Sequence, residues 1–552
     1  MSEDKAGVSA IGAQGAGERV FLRQSTGLVR LMGTGDSVIY GAMITTLLLG
    51  AALTYLAVPY AFPGANQWLG IVFTGVVGAA MMVAYAMLCS AMPRSGGDYV
   101  FQSRLVHPVL GVPLVLWGFV LWMGLWEALT GYLVATVAIA PFSAILAQQT
   151  GAGWLSSFGT WAATSWGIVV ISLVLFAVTL GVLVRGIRLY VRIQTVLWAF
   201  TLLSFGIAWV LLVANGHSAF VSSLDRFVAS TGGGADYYAK VIAAGHAGGF
   251  HFSGYKLMDT IGVAPVAWTA LAWTMWSVLN AGELKHARNL RSMSISTVGS
   301  LAIVTVLLAV TALLLVNTIG ANFLGSAATA YYNGSAVAGK LPGPPYFGVL
   351  TAVLTTSPVV TVLFAIGFIA VGIQLLIGIA WGSSRVILAL AFDRMLPPRL
   401  GDVSPRFHTP VKAIVAFFVI SVVWVFLYNK TVVGKYTLAV TLTSILVYMG
   451  TMVAAVLFPY RAPEIYKASP AARYKLLGIP LITVLGVIGF LFNALMVWFY
   501  LDKTALGVNS TDSLLAIAGS YVLCTVYYLA RRLWLQRQGF EPSVTFALIP
   551  PD

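Results

Sequence analysis

Charge is what this sequence has least of. Only 9% of its 552 residues are Asp, Glu, Lys or Arg, whereas soluble domains carry roughly a quarter. With 59% hydrophobic residues beside so little charge, the chain reads as an integral membrane protein. Acid is scarcer than base: 17 carboxylates face 31 Lys and Arg, for a net charge of +14. In a membrane protein such an excess sets topology, and nucleic acid is not an implied partner. Cysteine is nearly absent. Cys89 and Cys524 each lie in an apolar run and read as buried thiols, not a disulfide. Enzyme signatures are missing too. There is no HExxH, no phosphate-binding glycine loop ending in Lys-Ser/Thr, and no cysteine pair at metal spacing. His246 and His251 share a loop without an acidic or thiol partner at ligand spacing, so a solvated loop is the reading there. Residues 1–30 lack a 7–15-residue apolar core and are expected to form a disordered cytoplasmic tail, not a secretory signal.

Long apolar runs are present in abundance. They fall near 36–58, 68–91, 109–145, 162–184, 190–214, 261–282, 296–319, 358–391, 410–428, 435–459, 477–501 and 512–533. A span needs about 20 apolar residues, so the expected fold class is an all-α membrane protein of twelve transmembrane helices. The third and eighth runs exceed what a bilayer needs and imply tilt or extension beyond it. With the N-terminus inside, one set of loops holds Arg94, Arg104, Arg185, Arg188, Arg192, Lys285, Arg288, Arg291, Arg394, Arg399, Arg406, Arg461, Lys467, Arg473, Lys475, Arg531, Arg532 and Arg537. The other set holds Arg226 and mostly lysines. That asymmetry places both termini in the cytoplasm. The sequons at Asn333, Asn429 and Asn509 then all fall outside.

Three places interrupt the apolar pattern in ways that carry chemistry. Residues 265–291, PVAWTALAWTMWSVLNAGELKHARNLR, form a tryptophan-rich span broken by Thr274, Ser277, Asn280 and Gly282 and closed by Glu283. Small and polar breaks mark where a membrane helix opens toward a cavity, although they also ease helix packing. In the first run, Gly41, Thr45, Thr46 and Gly50 interrupt SVIYGAMITTLLLG. An unwound segment there exposes amides that bind a carboxylate without an arginine; packing of Gly41 and Thr45 on one face is the alternative. Asp36, at the inner end, suits a helix cap or a cytoplasmic gate contact.

Glu127 is the lone ionisable residue deep in the third span. Insertion scales put an Asp at mid-helix at roughly 2.5–3.5 kcal/mol, and desolvation favours the neutral form. Glu127 is therefore a candidate proton carrier or a partner for a substrate ammonium. The alternative is a hydrogen bond across the contact face it shares with Gly124 and Gly131. In the eighth span, Gln374 lies mid-helix, and Ser383, Ser384 and Arg385 lie near the inner end. Serine oxygens suit sodium, although serines in membrane helices usually bond back to their own helix.

Three segments resemble permeases of the amino acid–polyamine–organocation superfamily: MPRSGGDYVFQSRLVHP at 92–108, AGELKHARNLR at 281–291, and SSRVILALAFDRMLPPRLGDVSPRFHTPVKAI at 383–414. The resemblance implies a LeuT-type fold: a 5+5 inverted repeat with discontinuous helices one and six, and two peripheral helices. It divides the chain into a tail at 1–30, a transport core at 31–460, peripheral helices at 461–535 and a tail at 536–552. It also implies a substrate site at the two breaks, around Gly41, Ala42, Met43, Ile44, Thr45 and Thr46 in helix one and Trp273, Thr274, Met275, Trp276 and Ser277 in helix six. Glu283 matches the family's acidic residue at the end of helix six. The usual glycine-rich break of helix one is replaced by Met43, Ile44, Thr45, Thr46 and Leu47, and helix five lacks the lysine that some proton-coupled relatives carry.

The expectation is a secondary active transporter of the cell membrane that imports an amino acid, neutral or apolar, by alternating access. It is not an enzyme and takes no cofactor beyond a coupling ion. That ion is H+ through Glu127 first, Na+ at Ser383 and Ser384 second. Its partners are the small-molecule substrate and the bilayer; oligomeric state is open. A carrier of another small organic ion, a non-transporting sensor of the same fold and a channel are the alternatives.

Overall fold

The computed structural model describes residues 27–431 and 438–547. Among these, twelve helices are long and apolar enough to cross a membrane. They run Thr34–Ala61, Gln67–Ala91, Pro108–Thr150, Ser165–Val184, Ile187–Ala214, Leu257–Leu279, Leu290–Ile319, Pro358–Phe392, Val411–Lys430, Ala439–Arg461, Leu481–Asp502 and Thr511–Arg537; we number them spans one to twelve. Helices are the required solution here, because hydrocarbon offers no partner for a bare peptide group.

Burial orders the spans around a centre. Most of the apolar stretch of spans one and six is buried inside the protein, 89% and 94%, against 33% and 22% for spans eleven and twelve. Spans eleven and twelve are thus among the least buried, and span five, at 28%, is as exposed.

The two long runs resolve differently. Span eight is one α-helix of 35 residues. Span three reaches 43 residues, about twice what the hydrocarbon core needs, and changes phase at two π-helical stretches, Trp117–Leu121 and Val134–Ile139. The α-helical stretch between them, Trp122–Leu133, carries Glu127. Such π segments re-aim side chains and recur at functional sites.

The long connections at 215–258, between spans five and six, and 320–346, between spans seven and eight, are not bare loops. They contain helices His217–Ser230, Tyr237–Ala247 and Ala321–Tyr332. Tyr238 stacks on Phe323 at 4.7 Å, and Tyr332 stacks on Tyr60 of span one at 4.6 Å. Between spans ten and eleven a two-residue hairpin pairs Lys475–Leu476 with Ile479–Pro480.

Residues 1–26 of the expected N-terminal tail lie outside the described residues. The segment after them is tied down: the amides of Leu31 and Met32 both donate to the Glu283 carbonyl at 3.1 Å. At the other end, the expected tail at 536–552 includes a short helix, Pro542–Ala547, whose Phe546 lies under the Arg104 guanidinium.

Candidate substrate site and inner gate

Span one is two helices. Thr34–Met43 ends, residues 44–46 leave helical geometry, and Leu47–Ala61 resumes. The break falls where the threonines predicted it. Thr46 has φ +59° and Leu47 φ +27°, positions that a side chain occupies only when its surroundings enforce them. The threonines help hold this shape: Thr45 Oγ1 donates to the Ala42 carbonyl and Thr46 Oγ1 to the Thr45 carbonyl, each at 2.5 Å. Beyond the break, the Leu49 and Gly50 amides return to the Thr46 carbonyl. The Leu47 and Leu48 amides are thus first-turn donors of a new helix, aimed away from its axis partners. Here two hydroxyl bonds and two positive φ values, with no glycine at 43–47, shape the break.

Span six is interrupted in another way. It is α-helical over Val263–Leu271, then tightens into a 3-10 helix over Ala272–Leu279, with Ala281–Glu283 a further 3-10 turn. The discontinuity expected at Trp273, Thr274, Met275, Trp276 and Ser277 is therefore a tightening, not an unwound gap. Mid-helix 3-10 of this length is uncommon and often marks a hinge or strain.

The two interruptions meet. A Cβ on Gly41 would lie 3.0 Å from the Thr274 carbonyl oxygen, and one on Gly378 of span eight would collide with Ile44. Trp276 Nε1 lies directly over Gly382. Trp273 packs against Trp126 and Trp276 at 5.7 and 5.2 Å, and Trp276 against Phe119 at 4.9 Å. Glu127 follows Trp126 and lies against the Ala380 backbone of span eight. The wall between spans one, three, six and eight is thus aromatic. It carries polar atoms without a hydrogen-bond partner among the described residues: Trp276 Nε1, both Glu127 oxygens and Ser383 Oγ. Gly124 and Gly131 pack against Trp424 and Ser172, so a bond across the glycine face does not hold Glu127.

Near the end of span six a polar network joins spans one, five, six and eight. Glu283 receives both Arg385 Nε (2.9 Å, on Oε2) and Nη2 (2.6 Å, on Oε1), with Trp381 Nε1 at 2.7 Å. Tyr40 accepts from Asn280 Nδ2 and donates to the Gly378 carbonyl, both at 3.0 Å. Gln374 Nε2 donates to Tyr190 at 2.5 Å.

The family model for amino acid permeases matches residues 37–526. This chain belongs to the amino acid permease family. The permease thus falls within the amino acid–polyamine–organocation superfamily, as the three segments suggested. It is a transporter of amino acids and a multi-pass membrane protein. None of the curated proteins compared with the permease matches it.

The remaining predicted residues separate. Asp36 sits in the first turn of span one and accepts the Gly33 amide at 3.0 Å, the cap contact that its position suggests. Ser277 turns inward to Ser296, which also bonds Ser37. Ser384 donates to its own helix at Trp381 and receives Arg385 Nη1 at 3.0 Å, which sets a fixed cation where sodium would bind. Tyr40, Tyr190, Trp381 and Tyr448 were not singled out. Buried aromatics look alike in a sequence this apolar, and only their partners mark them.

Proposed function

We propose that the permease imports a neutral amino acid with an apolar or aromatic side chain by alternating access, driven by protons. The substrate carboxylate would be held by the first-turn amides after the span-one break, at Leu47 and Leu48, where the helix N-terminus favours an anion. Its ammonium would lie near span-six carbonyls, and Trp273, Met275 and Trp276 would enclose the side chain. The single observation that carries this reading is the break at residues 44–46, held open at positive φ against the aromatic wall of span six.

Glu127 is the proposed proton carrier. It is fully buried, faces the same wall and has no hydrogen-bond partner among the described residues. A carboxyl in that setting can be carried neutral across the membrane and discharged where water reaches it. Sodium at Ser383 is the second reading, favoured only by its unpartnered hydroxyl.

The experiment is uptake of labelled apolar amino acids into proteoliposomes with and without an inward proton gradient. The gradient should accelerate uptake in the native protein. In Glu127→Gln the response to the gradient should vanish while counterflow exchange persists. A gradient response that survives the substitution rejects Glu127, and a dependence on sodium with none on pH rejects proton coupling.

A further inference from the structure

The segment that resembles the family's loop between helices two and three ends in a short inner helix, Asp98–Leu105. Asp98 is its first residue and is fully buried. Its Oδ1 accepts the hydroxyls of Tyr85 from span two and Thr451 from span ten, both at 2.5 Å. Its Oδ2 is buried without a partner among the described residues. Among the described residues no cation pairs with it. The charged groups beside it, Arg104 on the inner helix and Asp393 at the end of span eight, pair with each other at 2.6 Å. Span ten presents Tyr448 and Thr451, span two presents Tyr85, and the inner helix itself presents Gln102, whose amide is given to Val447 and Thr451. Span eight also gives Arg385, which is bound to Glu283, and the C-terminal helix gives Phe546.

Two connections lead from Asp98 to the substrate wall. Gly96 and Gly97, at φ +96° and +38°, precede it, and the Gly96 amide donates to the Leu279 carbonyl at 2.9 Å, the last residue of the 3-10 stretch in span six. Independently, the Tyr85 ring meets Tyr448 at 6.3 Å, and Tyr448 meets Trp273 at 6.1 Å.

We propose that Asp98 is a proton-binding site on the cytoplasmic side, separate from Glu127, whose occupancy governs opening of the inner end of the permease. A neutral carboxyl suits the dry pocket. An ionised one needs a donor for Oδ2, and water reaches it only if the inner helix withdraws from spans two and ten. That withdrawal pulls on Leu279 through Gly96, and so on the segment bearing Trp273 and Trp276.

The pH sense follows from the packing. Burial pushes the Asp98 carboxyl up to about 6, against which the Thr451 and Tyr85 hydroxyls pull only partly. A water-exposed aspartate titrates near about 4. The packed inner end is therefore stabilised fully below about 4, and that support is lost as pH rises to about 6. Above about 6 the inner end opens most readily.

The test uses the full-length permease in nanodiscs. Infrared difference spectra across a step from about pH 5 to about pH 7.5 should show loss of a protonated carboxyl with a midpoint near about 6. That signal should be absent in Asp98→Asn and present in Glu127→Gln. A Ser95→Cys reporter, in a Cys89→Ser and Cys524→Ser background, should label faster at neutral than at acid pH, each rate taken relative to an exposed Lys475→Cys control. Adding Asp98→Asn should hold the reporter at the slow ratio at both pH values. Thr451→Val and Tyr85→Phe, which remove donors to the anion, should move the carboxyl midpoint upward. A carboxyl signal that survives Asp98→Asn, a reporter ratio that stays pH-dependent in it, or midpoints unmoved in the two hydroxyl variants would overturn the proposal. None of these readouts requires that Glu127 carry a proton.

Discussion

At the scale of single residues, the polar network at the end of span six rests on one ion pair in an apolar setting. Glu283 and Arg385 are 1% and 2% exposed, so neither charge has water to fall back on. A buried pair is weak evidence for net stability, yet removing one member strands the other at a cost of about 3–5 kcal/mol. Glu283→Gln and Arg385→Met should each lower the melting temperature in detergent sharply. The double variant should recover much of the loss, because it strands no charge. Equal, additive losses would show that the two residues act apart. Glu283 was legible as an acid closing a span. Its partner was not, because Arg385 is 102 residues away and nothing in either local pattern names the other. Asp98 was hidden for a related reason: a loop aspartate reads as solvated, and only the packing of spans two and ten around it makes it dry.

At the scale of elements, apolar run length and composition located all twelve spans, with ends off by up to six residues, at the start of span seven. The break in span one was legible from Gly41, Thr45, Thr46 and Gly50, because a cluster of small and polar residues in an apolar run marks either a helix break or a close packing face, and here the structure shows the break. Its manner was not. Thr46, a β-branched residue, occupies φ +59°, against its intrinsic preference. The surrounding fold enforces it, at a cost of about 1–3 kcal/mol. Thr46→Pro would force φ to about −65° and should abolish uptake while leaving insertion and the size-exclusion profile unchanged. Thr46→Gly accepts the positive φ freely and should keep uptake within a few-fold of native. Comparable uptake by the proline variant would mean that the break's geometry is not needed for transport. The interruption of span six was legible from Thr274, Ser277, Asn280 and Gly282, but its form, a 3-10 tightening over Ala272–Leu279, was not.

At the scale of the whole molecule, arginine asymmetry makes the strongest remaining statement, because orientation depends on charge in the short loops and not on any contact within the fold. The hairpin at Lys475–Leu476 and the elements around Arg394 and Arg531, where Arg531 Nε donates to the Arg394 carbonyl, belong to the arginine-rich face. The helical layer bearing Asn333 belongs to the other. Both Asn333 and Lys475 are exposed, and both native cysteines are buried, so introduced thiols report cleanly. In intact cells an impermeant thiol reagent should label Asn333→Cys at once and Lys475→Cys only after permeabilisation. The reverse order would place the arginine-rich face outside. It would also turn the Glu283–Arg385 pair, and the proposed proton site at Asp98, to the opposite side of the membrane, so the proposed import through this packing would have to become export.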